Sequence, residues 1–345
     1  MRIFALIGVL IGLLMPVNLM AQDNNETGEE RLNIKELMFH HIGDSHHWNI
    51  FAWKGDGGEI KSIDIPLPVM AYNKQNGDFL FAMSSSLSEG QTIEKNGCRY
   101  GINAHEKLEV NGSTDAIFDF SLTRNVASML MSVALLMLIF VGATRSIRKT
   151  KVPRGGAVIV EELVLFAKEI ADDQIGKKKS AKFTPFLLTL FFFIWINNII
   201  GLVPFFPGGT NLSGNIAFTS ILAIFTFIVT HVFASKHYWV HTLTVPGVPF
   251  IMKFIMVPLE IVTMFTRPFT LLIRLFANIT GGHIIVLSMF SIIFYLQTYM
   301  ISIASVPLAF VVFVLELIFG ALQAYIFTVL SALYIGLAVA DGHDE

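Results

Sequence analysis

Charge is what this chain has least of. Only 14% of its 345 residues are charged and 54% are hydrophobic, whereas an ordinary soluble domain carries roughly 25% charged residues. That scarcity excludes a disordered chain, and it excludes a soluble one unless the core is very large. Mean hydropathy is +0.63. Cysteine is almost absent. The single Cys98 excludes an intramolecular disulfide framework and a cysteine-built zinc site. The net charge of −2 gives no electrostatic footprint for nucleic acid. No GxxxxGK[ST] loop is present to cradle a nucleotide phosphate, and no HExxH pair to hold a catalytic metal.

The charges that are present divide the chain. Residues 23–121 carry 16 Asp/Glu and 8 Lys/Arg, which is ordinary for a soluble acidic segment. Residues 145–182 carry 10 Lys/Arg and 5 Asp/Glu. The next 158 residues, 183–340, hold just six charges: Lys236, Lys253, Glu260, Arg267, Arg274 and Glu316. That last part reads as membrane-embedded helix.

Residues 1–21 read as a secretory signal peptide. Arg2 supplies the positive start, FALIGVLIGLLM the apolar stretch, and Asn18-Leu19-Met20-Ala21 a cleavage site in which Leu19 is larger than usual. An uncleaved first membrane helix is the alternative, and either way residues 22–121 are expected to be exported. Turn signals punctuate that region at Gly55-Asp56-Gly57-Gly58, Asn76-Gly77-Asp78, Asn96-Gly97 and Asn111-Gly112, and the alternating runs DFLFAMS and IKSIDIP predict strands. His40, His41, Asp44, His46 and His47 crowd together in HHIGDSHH. They have the chemistry of a zinc or copper site. A polar interfacial segment ahead of Trp48 and Phe51 is the preferred reading, so no metal and no cofactor is assigned.

Residues 122–345 form the expected membrane domain, with spans at approximately 122–144, 183–205, 213–235, 247–297 and 300–340. The first three suit the ~20 residues that cross a bilayer. The last two are too long for upright spans and predict a tilted or bent hairpin, with Pro268, Gly281, Gly282, Pro307 and Gly320 as possible bends. The fold class is therefore all-α integral membrane: five helices after a signal peptide, a small exported N-terminal region, and one amphipathic helix. That helix, AVIVEELVLFAKEIADDQI, is expected on the inner membrane surface or packed on a partner. The basic 145–182 loop is the cytoplasmic one by the positive-inside bias. The mature N-terminus then lies in the periplasm and the C-terminus in the cytoplasm of a bacterial inner membrane.

Function is sought in the ionisable residues of the apolar part, because a charge at the centre of a membrane helix costs roughly 2.5–3.5 kcal/mol on insertion scales. Lys253 lies near a span start, and Arg267, ahead of Pro268, can snorkel or cap. Arg274 is harder to dismiss, flanked by Leu271, Leu272, Ile273, Leu275 and Phe276. Its guanidinium stays protonated, and the acids of the last two spans are Glu260 and Glu316. Helical geometry sets Arg274 and Asn278 about 40° apart, and Arg274 and His283 about 180° and 13.5 Å apart. Glu260 falls within about 40° of the Arg274 face if Pro268 leaves the helix unrotated. Glu316, Gln323 and Tyr334 share a stripe of the last helix. A fixed cation on one face, a titratable His on the other, and an acid and an amide on the next helix suit proton transfer interrupted by an immovable charge. A stand-alone ion channel or secondary transporter is the rival reading, although no internal repeat is visible. An intramembrane hydrolase would need partners that His231 and His283 do not have in sequence.

RPFTLLIRLFANITGGH resembles the signature of subunit a of the F-type ATP synthase membrane sector, whose Arg-Leu-Phe-x-Asn core is here Arg274–Asn278. LELIFGALQAYIFTVLSALYI resembles that family's last helix, through Leu322–Phe327. Asn198, Gly201 and Pro204 resemble its Asn-x-x-Gly/Asp-x-x-Pro element. The resemblance covers roughly 122–340, with three motifs in the right order. It implies a stator subunit without a catalytic site of its own, partnered by the c-ring rotor, the peripheral-stalk b subunits, the remainder of the ATP synthase and membrane lipid. It implies that Arg274 is the stator arginine facing the ring, and that His283 and Glu316 are an acid–histidine pair in exchanged order. Glu260, Asn278 and Gln323 would be polar positions along the proton path. The long 22–121 segment departs from many relatives and receives no role.

Overall fold

The computed structural model describes residues 43–54, 60–74, 76–87, 92–103, 107–114, 117–203, 208–245, 249–296 and 299–340. The signal-like residues 1–21 and His40 and His41 lie outside the described residues.

Between residues 47 and 119 the described residues form mainly β-strands. Strands β1 His47–Lys54 and β2 Ile60–Pro66 form an antiparallel pair. β3 Pro68–Asn73, β4 Phe79–Met83 and β8 Ile117–Asp119 form a sheet of order β4-β3-β8, and β5 Ile93–Lys95, β6 Cys98–Ile102 and β7 Leu108–Val110 a third of order β5-β6-β7. The turn chemistry explains the hairpins. Asn96 and Gly97 both take positive φ, 51° and 74°, which the tight turn joining β5 to β6 requires. Val69, Ala71, Leu80, Tyr100, Leu108 and Val110 close a small core between the sheets.

Among the described residues seven helices follow: α1 Arg124–Thr150, α2 Gly156–Ile175, α3 Lys177–Leu202, α4 Ile216–Val232, α5 Lys236–Thr244, α6 Phe250–Leu296 and α7 Tyr299–Val339. The Thr123 side chain caps α1 by accepting from Val126 N–H, and Asn215 caps α4 by accepting from Ala217 N–H. Among the described residues, four helices are long and apolar enough to cross a membrane, or five if α4 and α5 count as one bent span.

That bend corrects one expected span. The apolar run 213–235 ends as helix at Val232, and the chain turns by 101° into α5. Ser235 restarts it, its hydroxyl accepting from Tyr238 N–H at 3.1 Å. α6 runs unbroken through Pro258 and Pro268, and α7 through Pro307. At 1.5 Å per residue, the 47 residues of α6 extend about 70 Å, more than twice the ~30 Å hydrocarbon thickness, so α6 crosses obliquely or projects beyond it.

The core lies where α3, α4, α6 and α7 meet. Leu271, Leu275 and Ile279, four residues apart, bury one stripe of α6 against Phe191, Phe192 and Ile194 of α3, Leu222 of α4 and Phe327 of α7. α2 packs on α3 and α7 through Ala167, Ile170 and Ala171 and leaves Val158, Ile159, Leu165 and Phe166 exposed. Its apolar residues thus serve two faces, one against its own chain.

Candidate proton-path site

α6 and α7 run antiparallel and pack against each other. Their polar residues meet in register along the seam. His283 Nε2 lies 3.7 Å from Glu316 Oε1. Five residues back on α6, Asn278 donates from Nδ2 to Gln323 Oε1 at 2.9 Å. Further along, the Arg267 guanidinium lies 5.5 Å from the centre of the Tyr334 ring. Arg267 is therefore stacked on an aromatic face, which gives its charge a partner that capping or snorkelling did not anticipate.

Arg274 falls between these levels. In the same register it faces the height of Phe327, which is fully buried and apolar. Among the described residues no carboxylate lies within 4.0 Å of Arg274. It is half-buried, at the border between the Leu271–Leu275–Ile279 stripe and the exposed positions Phe269, Ile273 and Ala277. The acids expected to compensate it stand elsewhere. Glu316 is paired with His283, and Glu260 is 14 residues, about 21 Å of helix, away.

The Glu316 site is built by close approach. Its side chain is 5% exposed, and Oε1 accepts no hydrogen bond. Gly282 permits the approach, since a Cβ there would sit 2.7 Å from Glu316 Oε1. α3 closes the other side. Asn198 donates from Nδ2 to Gly320 O at 3.0 Å and accepts from Ser213 Oγ at 2.7 Å. A Cβ on Gly201 would lie 3.8 Å from His283 Nε2. The Asn198–Gly201 element thus borders both helices of the seam, a place that its spacing in the sequence alone does not assign. Its signal was present in the motif spacing, as were Gly282 and Gly320, but only packing shows what these positions approach.

A crevice of about 340 Å³ opens beside the pair, lined by Asn278, Gly281, Gly282 and Glu316 and otherwise by apolar side chains such as Val312 and Phe319. The arrangement offers a proton acceptor, a histidine within one side-chain rotation of it, an amide pair, and a cation that cannot be discharged.

The described part of the histidine-rich segment, from Asp44 to His47, is tied into the fold. Among the described residues no three His, Cys, Asp or Glu side chains group as metal ligands. His46 contacts Asp119 Oδ2 at 3.2 Å, His47 Nδ1 lies 3.3 Å from Ser84 Oγ, and Asp44 accepts from Asn125 N–H at the start of α1. Each ties the β-rich region together or to the first span.

Among the described residues, the bundle thus holds a buried acid–histidine pair on the seam and Arg274 further along it, with no carboxylate within 4.0 Å of that guanidinium. Comparison with known proteins narrows the class. The family model described as ATP synthase A chain matches residues 126–336, and one described as a domain of unknown function (DUF8433) matches residues 37–126. The chain is 44% identical over 255 residues to ATP synthase subunit a of Chloroherpeton thalassium, covering 71% of this chain and 74% of that one. It is 43% identical over 243 residues to the same subunit of Myxococcus xanthus, covering 68% and 78%. The chain belongs to the ATP synthase A chain family, subunit a of the F-type enzyme. It is a proton-translocating membrane subunit of that complex, in a bacterial inner membrane.

Proposed function

We propose that this subunit is the stator half of a rotary proton path, in which two aqueous half-channels meet at Arg274 against the c-ring. A proton enters from one side, is relayed by His283 and Glu316 past Asn278 and Gln323, and reaches a carboxylate on the rotor. Once neutral, that carboxylate crosses lipid at far lower cost than a charge. On the far side of Arg274 it loses its proton, which leaves past Glu260. Arg274 holds the returning carboxylate ionised and bars a direct passage between the half-channels. A proton falling through ~100 mV releases about 2.3 kcal/mol, and the fixed cation converts that release into one direction of rotation. The peripheral-stalk b subunits hold the chain against torque. The N-terminal region lies in the periplasm and the C-terminus in the cytoplasm.

The observation that supports this most is Arg274 itself, held at the level of Phe327 with no carboxylate among the described residues within 4.0 Å. Such a cation is waiting for a partner's acid. Arg274→Ala should abolish ATP-driven proton pumping by the assembled enzyme, and Arg274→Lys should nearly do so, because a point charge with a shiftable pKa replaces a planar permanent cation. Wild-type pumping by Arg274→Ala would end the proposal.

A further inference from the structure

The β4-β3-β8 sheet turns an apolar face outward as well as inward, with Asn73 and Asp119 as the polar inward positions. Val69, Ala71, Leu80 and Ile117 face the β-core. The outward positions Met70, Phe79, Phe81, Met83, Phe118 and Phe120 are all exposed, Phe81 at 72% and Phe79 at 69%. Register sets them in rows: Pro68 pairs with Met83, Met70 with Phe81, and Tyr72 with both Phe79 and Phe118. Phe120 N–H donates to Met70 O at 2.8 Å and extends the middle row. None of these outward positions is charged, although residues 23–121 carry twice as many acids as bases. The cations stand at the rim. Lys74 Nζ lies 4.1 Å from the centre of the Phe118 ring, and Lys95 Nζ donates to Phe79 O at 2.6 Å. A contiguous apolar face of this size marks an interaction surface.

The tether says what covers it. Leu122 N–H donates to Pro68 O at 3.1 Å, so the β3–β8 ladder continues to within two residues of α1. Phe120 is at most about 14 Å from Arg124, the first residue of that helix. Arg124 N–H donates to Ser45 O at 2.9 Å, and Asn125 N–H to the Asp44 carboxylate at 3.1 Å, which clamps the helix start to the β-rich region. No linker lets the sheet leave the membrane surface. We propose that the outward face of β4-β3-β8 seats on the bilayer, in the headgroup region of the leaflet into which α1 inserts. Its Phe and Met side chains enter the acyl boundary, and Lys74 and Lys95 reach lipid phosphates. Aromatic and aliphatic side chains with a basic rim are the chemistry of interfacial anchors. The inference depends on α1 crossing the membrane and not on the role of Arg274.

The test uses the full chain in the assembled complex, reconstituted into phosphatidylcholine–phosphatidylglycerol vesicles. Phe81→Cys, Phe118→Cys and, as a solvent-facing reference, Lys107→Cys carry an environment-sensitive fluorophore, while buried Cys98 stays unlabelled. Labels at 81 and 118 should emit to the blue of the label at 107. They should be quenched by bromine on the lipid acyl chains and shielded from aqueous iodide. Equal iodide quenching at all three positions would overturn the proposal. Shielding from iodide and bromolipid alike would also overturn it, since a protein would then cover the face. Because both replaced phenylalanines are exposed, ATP-driven pumping by each labelled variant should match the parent and confirm that it folds.

Discussion

Gly282→Ala adds one methyl group at the point where α6 and α7 come closest around Glu316. The new Cβ would stand 2.7 Å from Glu316 Oε1, 2.8 Å from Cδ and 3.0 Å from Cγ. Ordinary contact begins near 3.4 Å, so the carboxylate must retreat by about 0.7 Å. The clash falls on a side chain and not on backbone, so α6 and α7 need not separate. Alanine also favours helix over glycine by roughly 0.5–1 kcal/mol, which offsets part of the crowding. Folding is therefore nearly unchanged, and the cost falls on geometry. His283 and Glu316 already stand 3.7 Å apart, beyond the 2.6–3.2 Å at which a proton passes directly. A further displacement of this size should slow transfer by about tenfold, given that a 1 Å error can cost on the order of a hundredfold. Gly281→Ala is the matched control, because a Cβ there meets nothing within 4 Å. The assay is ATP-driven proton uptake by inverted membrane vesicles, with ATP hydrolysis measured alongside. Gly281→Ala should pump normally and Gly282→Ala should not. Equal pumping by the two, whether high or low, would refute the reasoning, since Glu316 crowding would then explain nothing.

Two further outcomes are expected, one at the seam and one in the β-rich region. The exchange His283→Glu with Glu316→His should retain more pumping than either single change, and a double variant no better than the singles would show that the side chains do not cooperate. At the β-rich region, burial raises the Asp119 carboxyl pKa, but hydrogen bonds from His46 and Ser121 outweigh it and hold the group below its ordinary value. The stabilisation is thus present above the free carboxyl value of about 3.9 and is lost as pH falls through the lower folded value. Proteolysis of residues 43–121 in the full chain should rise steeply in that acid range, and Asp119→Asn should flatten the dependence; an unchanged profile in the variant would contradict it.

The membrane helices were legible because hydropathy and charge scarcity act over twenty residues at a time. The end of α4 was not, because Val232 and Phe233 are as apolar as the run before them. Only the Ser235 cap and Lys236 mark the break, and a cap is a single-residue signal. Asn96-Gly97 announced its hairpin through its φ requirement, but strand order depends on distant pairings such as Tyr72 with Phe118. The site divides in the same way. Arg274, His283 and Glu316 stood out because ionisable groups are costly in apolar surroundings. Asn198, Gly282 and Gly320 act through what they allow to come near. The stacking of Arg267 on Tyr334 likewise joins residues 67 positions apart.

The central claim is that Arg274 faces the rotor's moving carboxylates. Ala277 is exposed on α6 within one turn of Arg274. The direct measurement is disulfide cross-linking of Ala277→Cys to a cysteine placed one turn from the membrane carboxylate of the rotor subunit, in the assembled complex. Rapid cross-linking that stops rotation and is reversed by reductant is expected. Failure to cross-link at any rotor position near that carboxylate, with Ala277→Cys reacting only with lipid-soluble thiol reagents, would contradict it.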